Sequence, residues 1–153
     1  MIDKRQFKMP WDDYFMNIAR EVARRSQCIK RQIGALIVVE NRIITTGYNG
    51  TPRGVTDCCD GGCARCANKD VVSGTLLDTC WCNHAEENTI LNAAYHGTST
   101  KAGILYTTLS PCLTCAKMII NAGIKEVIYW AEYPQQSALL MEQGGVCFRR
   151  LET

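Results

Sequence analysis

Strand-like segments alternating with helix-like segments predict a layered α/β domain whose later strands run parallel. Three observations carry this. From residue 84 onward the pattern reads helix, strand, helix, strand, helix, strand. Upstream, a helical stretch precedes two β-rich runs that flank Glu40-Asn41, a hairpin signal. The chain has 153 residues, 46% of them hydrophobic, which suits one compact domain with one core. No internal repeat, low-complexity tract or linker divides it, so residues 1–153 are read as a single domain with a cysteine-rich insertion at about 56–83.

Residues 11–26 place Trp11, Phe15, Ile18, Ala19 and Val22 at helical spacing, with Arg20, Arg24 and Arg25 on the solvated side. Residues 33–39 and 42–47 are strands of the hairpin, and Tyr48-Asn49-Gly50-Thr51-Pro52-Arg53-Gly54 is a loop leaving the second. The stretch 56–83 is long and weakly periodic, broken at Gly61-Gly62 and Ser73-Gly74. A loop of that length is functional or tied down, and a metal would tie it down. Residues 84–95 return to helix, with Ile90, Leu91 and Ala94 on the apolar side and Gly97 as the stop. Then come a strand at 104–109, a helix at 112–121 with Ala116, Ile119 and Ile120 inward, and Gly123 at its C-terminal cap. A strand at 127–130, a helix opening at Pro134 and running to 143, and a short strand at 147–150 complete the order. Cys147, in an apolar setting, reads as a buried small hydrophobe.

The formal net charge of +2 argues against the broad cationic face that stable nucleic-acid binding needs. No apolar run is long enough to span a membrane. Met1-Ile2-Asp3-Lys4-Arg5 lacks the apolar stretch of a secretory signal, so a cytoplasmic location is expected. Ten cysteines are unusual for such a chain. Cys58, Cys59, Cys63, Cys66, Cys80 and Cys82 crowd into the insertion, and without a secretion signal they read as metal ligands before disulfides.

His84-Ala85-Glu86, followed by Pro111-Cys112-Leu113-Thr114-Cys115, is the most informative pattern. One imidazole and two thiolates (His84, Cys112, Cys115) give three zinc ligands and leave the fourth tetrahedral position open for water, whose pKa the metal lowers to near neutrality. Glu86 is not needed as a ligand and is free to take and return protons. Separately, a histidine at a helix start is a common cap and a C-x-x-C pair is often structural. Together they make the H-x-E…P-C-x-x-C arrangement of the zinc nucleobase deaminases. Both halves open expected helices, whose positive N-terminal ends favour thiolate over thiol.

At these residues the chain resembles the deoxycytidylate (dCMP) deaminase family, within the cytidine deaminase-like superfamily. The likeness extends to Ile33-Gly34-Ala35-Leu36-Ile37-Val38, to Gly47-Tyr48-Asn49-Gly50-Thr51-Pro52-Arg53-Gly54, to His84-Ala85-Glu86-Glu87-Asn88, to Ser110-Pro111-Cys112-Leu113-Thr114-Cys115-Ala116-Lys117 and to Ala122-Gly123-Ile124-Lys125-Glu126-Val127. It covers about residues 12–150. The resemblance implies a three-layer fold, with a five-stranded mixed sheet flanked by helices. It implies hydrolysis of dCMP to dUMP and ammonia, a supply of precursor for dTMP. It assigns zinc to His84, Cys112 and Cys115 and the proton shuttle to Glu86. It sets Asn49 against the sugar, the Ala85 backbone toward the base, the carbonyl near Ser110 toward the amino group, and Tyr133 against the base. Arg31 or Arg53 suits bidentate capture of the phosphate.

A subset of the family carries a second, structural zinc, and the matching positions here are Cys28, Cys58, Cys63 and Cys80. Four thiolates close a tetrahedral site and leave no room for catalysis. Cys59, Cys66 and Cys82 are additional thiols, so Cys66 or Cys82 could replace one of the four. The family also implies a homo-oligomer, often a hexamer, and dCTP and dTTP as effectors of some members. The motif leaves open a deaminase of dCTP, of free cytidine or deoxycytidine, or of a polynucleotide base. A non-catalytic zinc-binding interaction module is the reading from another class, and Glu86 argues against it because a structural site needs no general base.

Overall fold

The computed structural model describes residues 1–133 and 137–152. Its elements are α1 (Trp11–Ala23), β1 (Gly34–Val39), β2 (Arg42–Tyr48), the short α2 (Ala64–Ala67), α3 (Ala85–Tyr95), β3 (Ile104–Leu109), α4 (Leu113–Asn121), β4 (Glu126–Ala131), α5 (Ala138–Gln143) and β5 (Cys147–Arg150). The five strands form one sheet in the order β2-β1-β3-β4-β5. β1 pairs antiparallel with β2 and β3, whereas β3–β4 and β4–β5 are parallel. The expected mixed sheet with parallel later strands is therefore present, because each later strand is reached through a crossover helix.

The period-2 alternation of the strands makes the layers. Leu36, Val38, Tyr106 and Ile128 point to one face, where Phe15, Met16 and Ala19 of α1 cover them. Ala35, Ile37, Leu105 and Val127 point to the other, against Ile119 of α4 and Met141 of α5. Phe15, Leu36, Ile37, Leu105 and Ile119 are all under 2% exposed, each worth about 1.5–3 kcal/mol of burial. The approach of α1 to β1 is close enough to require a glycine. A Cβ on Gly34 would lie 2.2 Å from the Ala19 carbonyl oxygen and 2.4 Å from the Ala23 nitrogen.

Three details differ from the sequence expectation. α1 ends at Ala23 rather than 26, because Arg24, Arg25 and Ser26 bond three residues back and the Ser26 hydroxyl turns to Asn49. α3 does not bury Leu91 and Ala94, which are exposed, but Ala85, Glu86, Thr89 and Ala93. The helix turns a carboxylate and a threonine inward because its first turn belongs to the site. Cys147 is exposed, with Val146 buried and Phe148 half-buried beside it. The two-residue period turns Cys147 outward on the edge strand, its Sγ 3.9 Å from Glu126 Oε1. The expected helix start at Pro134 lies outside the described residues. No helix among the described residues is long and apolar enough to cross a membrane.

Candidate active site

Two helix starts build the site. His84 is the N-cap of α3 and Cys112 the N-cap of α4. The His84 amide donates to Glu87 Oε1 at 3.1 Å, closing a capping box that fixes the entry of the chain. Cys112 Sγ accepts from the Cys115 amide at 3.5 Å, so the C-x-x-C pair caps its own helix. His84 Nδ1 lies 3.4 Å from both Cys112 Sγ and Cys115 Sγ. Zinc bonds of about 2.0 Å to nitrogen and 2.3 Å to sulfur at the tetrahedral angle put such atoms about 3.5 Å apart. The three donors fit one ion, and both cysteines are free thiols.

The electrostatics match. A hydrogen bond from Cys115 holds Cys112 down at about 4, against burial and with help from His84. The Cys112 sulfur in turn holds His84 up at about 9. Cys115 is pushed up by sharing its proton with Cys112 and by burial. The three donors share protons among themselves, and a bound ion would displace them. Glu86 is 4% exposed, and burial raises its pKa. Its Oε2 is 3.7 Å from Cys115 Sγ and its Oε1 is 3.1 Å from Thr107 Oγ1. The same threonine oxygen is 2.9 Å from the Leu109 carbonyl. One hydroxyl hydrogen serves both, so Thr107 can donate to the carboxylate or accept from the carboxylic acid while donating to Leu109.

A pocket opens above these groups, with His84, Glu86 and Cys112 in its lining. Asn49, Ser110, Tyr133 and Arg31 line it too, so the fold brings together most of the residues singled out by sequence. Ala85 is fully buried between two lining residues, its carbonyl accepting from Thr89 Oγ1 at 2.6 Å. Ser110 Oγ accepts from the Tyr133 amide at 2.6 Å, and the Tyr133 hydroxyl donates to Gly74 O at 3.0 Å. The exposed Arg31 guanidinium sits 5.7 Å from the Tyr133 ring centre. Asn49 Oδ1 accepts from the Ile33 amide at 2.8 Å and the Ser26 hydroxyl at 2.7 Å, while its Nδ2 donates to Arg31 O at 2.8 Å. Arg53 is not in the lining. It donates to Asn92 Oδ1 at 2.9 Å and lies 4.3 Å from the Tyr95 ring centre, along α3.

Sequence reading missed Thr107 and the wall contributed by the insertion. Ser73, Gly74 and Leu77 line the pocket, as do Lys30 and Arg65. Both cations hold the insertion: Lys30 Nζ donates to Val71 O at 2.6 Å and Arg65 Nε to Thr75 O at 3.0 Å. No periodicity signals these contacts. The cysteines beside them form two sets of four, Cys28–Cys58–Cys66–Cys82 and Cys63–Cys66–Cys80–Cys82. The four expected ligands of a second metal, Cys28, Cys58, Cys63 and Cys80, thus divide between the sets, and Cys66 and Cys82 belong to both. Cys59 is exposed and outside them.

Comparison with known proteins gives a consistent result. The model of the cytidine and deoxycytidylate deaminase zinc-binding region matches residues 9–131. The chain is 47% identical over 152 residues to the deoxycytidylate deaminase of Schizosaccharomyces pombe, with 98% of this chain and 47% of that one aligned. To the human deoxycytidylate deaminase it is 40% identical over 157 residues, covering 96% of this chain and 83% of that one. The crystal structure of the cyanophage S-TIM5 dCMP deaminase with dCMP and dUMP superposes with a TM-score of 0.77 at 29% identity, over 99% of each chain. The chain spans about half the length of the yeast relatives it matches, 47% and 44%.

Proposed function

Because this chain belongs to the cytidine and deoxycytidylate deaminase family, we propose that it hydrolyses dCMP to dUMP and ammonia with zinc at His84, Cys112 and Cys115. The carrying observation is the geometry of Glu86: a buried carboxyl beside three converging metal donors, at the floor of a pocket walled by Tyr133, Asn49 and Arg31. The deaminase of S-TIM5, similar along the whole chain, holds dCMP and dUMP, which supports the same substrate here.

Zinc held by His84, Cys112 and Cys115 would supply Lewis acidity and lower the pKa of a water toward neutrality. The chain does the rest. Glu86 accepts one water proton and gives it to the ring nitrogen, then takes the second from the hydroxyl now on the ring carbon and gives it to the amino group. Its raised pKa suits both directions of transfer, and Thr107 can follow each protonation state. Atoms balance: the water oxygen stays on the ring carbon, one water proton stays on the ring nitrogen of dUMP, and the other leaves with the amino group as ammonia. The Ala85 backbone and the carbonyl of Ser110 orient the base, Tyr133 borders it, Asn49 meets the sugar, and Arg31 at the rim takes the phosphate. Burial of the floor excludes bulk water from the proton path.

The cysteine-rich insertion holds structural metal that braces the pocket wall. The ten cysteines, all free thiols, suit the reducing cytoplasm. Assembly into a homo-oligomer such as a hexamer, and control by dCTP and dTTP, complete the proposal.

The test compares ammonia release from dCMP, dCTP, deoxycytidine and a short single-stranded DNA. Fast turnover of dCMP alone is expected, with kcat falling about 10²–10⁴-fold in Glu86→Gln at matched zinc content. No turnover of dCMP, or equal turnover of the polymer, overturns the substrate.

A further inference from the structure

Six cysteines outside the active-site triad meet at one place. Cys28 follows α1, Cys58, Cys63 and Cys66 lie in the first half of the insertion, and Cys80 and Cys82 lie just before His84. Five of the six are buried and Cys80 is partly so, and they pack into a cluster of their own. Within each of the two sets of four, all sulfurs lie within 4.8 Å of one another. Cys80 Sγ is 3.8 Å from both Cys63 Sγ and Cys66 Sγ. That is the sulfur–sulfur edge of a tetrahedron with metal–sulfur bonds of about 2.3 Å, about 3.8 Å.

We infer that this cluster binds two zinc ions, with Cys66 and Cys82 bridging both, Cys28 and Cys58 completing one tetrahedron and Cys63 and Cys80 the other. One ion in either set would leave two clustered sulfurs on the far wing without a partner metal. The Trp81 amide donates to Cys63 Sγ at 3.3 Å, so the backbone also converges on this sulfur. Two divalent ions on six thiolates leave a double negative charge, and a buried charge needs a partner. Arg65 is 8% exposed, and its guanidinium reaches to 3.6 Å from the bridging Cys66.

The shared-ligand arrangement has a structural consequence. It ties the end of α1, both halves of the insertion and the approach to His84 into one unit. Cys28, Cys80 and Cys82 also line the pocket, so the cluster is the rigid back of the wall that Gly74 and Tyr133 close.

The inference does not depend on the deaminase reading, and metal content separates them. Zinc is counted in the full chain purified under reducing conditions, in the wild type and in a Cys112→Ser/Cys115→Ser variant. About three ions per wild-type chain are expected, and about two in the variant, since only the active-site ion is lost. The chain is then loaded with cadmium-113. Two cluster resonances, split by coupling through shared sulfur, are expected. A count of about two falling to about one means a single-ion site and overturns the proposal. Uncoupled cadmium resonances overturn the bridging, and iron with acid-labile sulfide overturns the metal. Cys58→Ser should lose one ion and Cys82→Ser two, but the wild-type spectra decide even if those variants fail to fold. Absence of dCMP turnover with three ions bound would sink the activity and leave the cluster standing.

Discussion

Arg31 and Arg53 carry the same guanidinium, and only their surroundings separate them. Arg31 lies at the pocket rim above Tyr133, whereas Arg53 is held by Asn92 and Tyr95 along α3. A charge-assisted contact to phosphate is worth about 1.5–3 kcal/mol. Arg31→Ala should therefore raise KM for dCMP about 10–100-fold with kcat little changed, and leave KM for deoxycytidine within about twofold. Arg53→Ala should leave both constants within about twofold. Steady-state kinetics on the two substrates checks this, and an equal rise in Arg53→Ala sinks the assignment. Residue chemistry was legible in the sequence where it is local: His84, Glu86, Cys112 and Cys115 are named by spacing alone. Asn49 shows the other side. It lines the pocket, but its carboxamide is committed to Ser26, Ile33 and Arg31, contacts whose partners lie 16 to 23 residues away.

Elements are joined by a polar chain on the α1 face. The buried Tyr106 of β3 donates to Asp12 Oδ1 at 2.7 Å. Asp12 Oδ2 takes Arg149 of β5 at 2.7 Å, and Arg149 takes Glu126 of β4 at 2.8 Å. Burial, then the Asp12 carboxylate, pushes the Tyr106 pKa up from 10.0. A raised folded pKa means the contribution is fully present below the unfolded value near 10 and is lost as pH rises through the higher folded value. Urea midpoints should fall above pH about 10, and Tyr106→Phe should flatten that fall while costing about 0.5–1.5 kcal/mol at neutral pH. An identical alkaline fall in both proteins would show that Tyr106 is not its source. The sequence showed the strands and helices because their apolar periods are strong. It misjudged the buried face of α3 because Glu86 and Thr89 occupy inward positions that periodicity assigns to apolar residues.

Across the whole molecule the insertion is a wall hung on a cysteine cluster. Little apolar core lies under it: Val72, Leu76 and Trp81 are exposed. Its anchors are the cysteine cluster, the Lys30 and Arg65 contacts to loop carbonyls, and the Tyr133–Gly74 bond. Removing metal with a strong chelator should therefore open it first. Limited proteolysis should show new cuts between residues 56 and 83, while α1 and the sheet stay protected. An unchanged cleavage pattern would mean the loop holds its shape without metal.

The sequence by itself determined the order of elements, the sense of the later strands and the His84, Glu86, Cys112 and Cys115 set that the structure brings together. These rest on local periodicity and on ligand types placed at two helix starts, which survive any detail of packing. Only the tertiary structure decided which arginine meets the pocket, which face of α3 is inside, and that Cys66 and Cys82 are common to two sulfur sets. Those outcomes depend on where an aperiodic loop returns to the sheet. Cys28 is brought to Cys82 by the packing of α1 on β1 and by the Ser26–Asn49 and Gly50–Asn83 links, a distance in sequence that no spacing rule reaches.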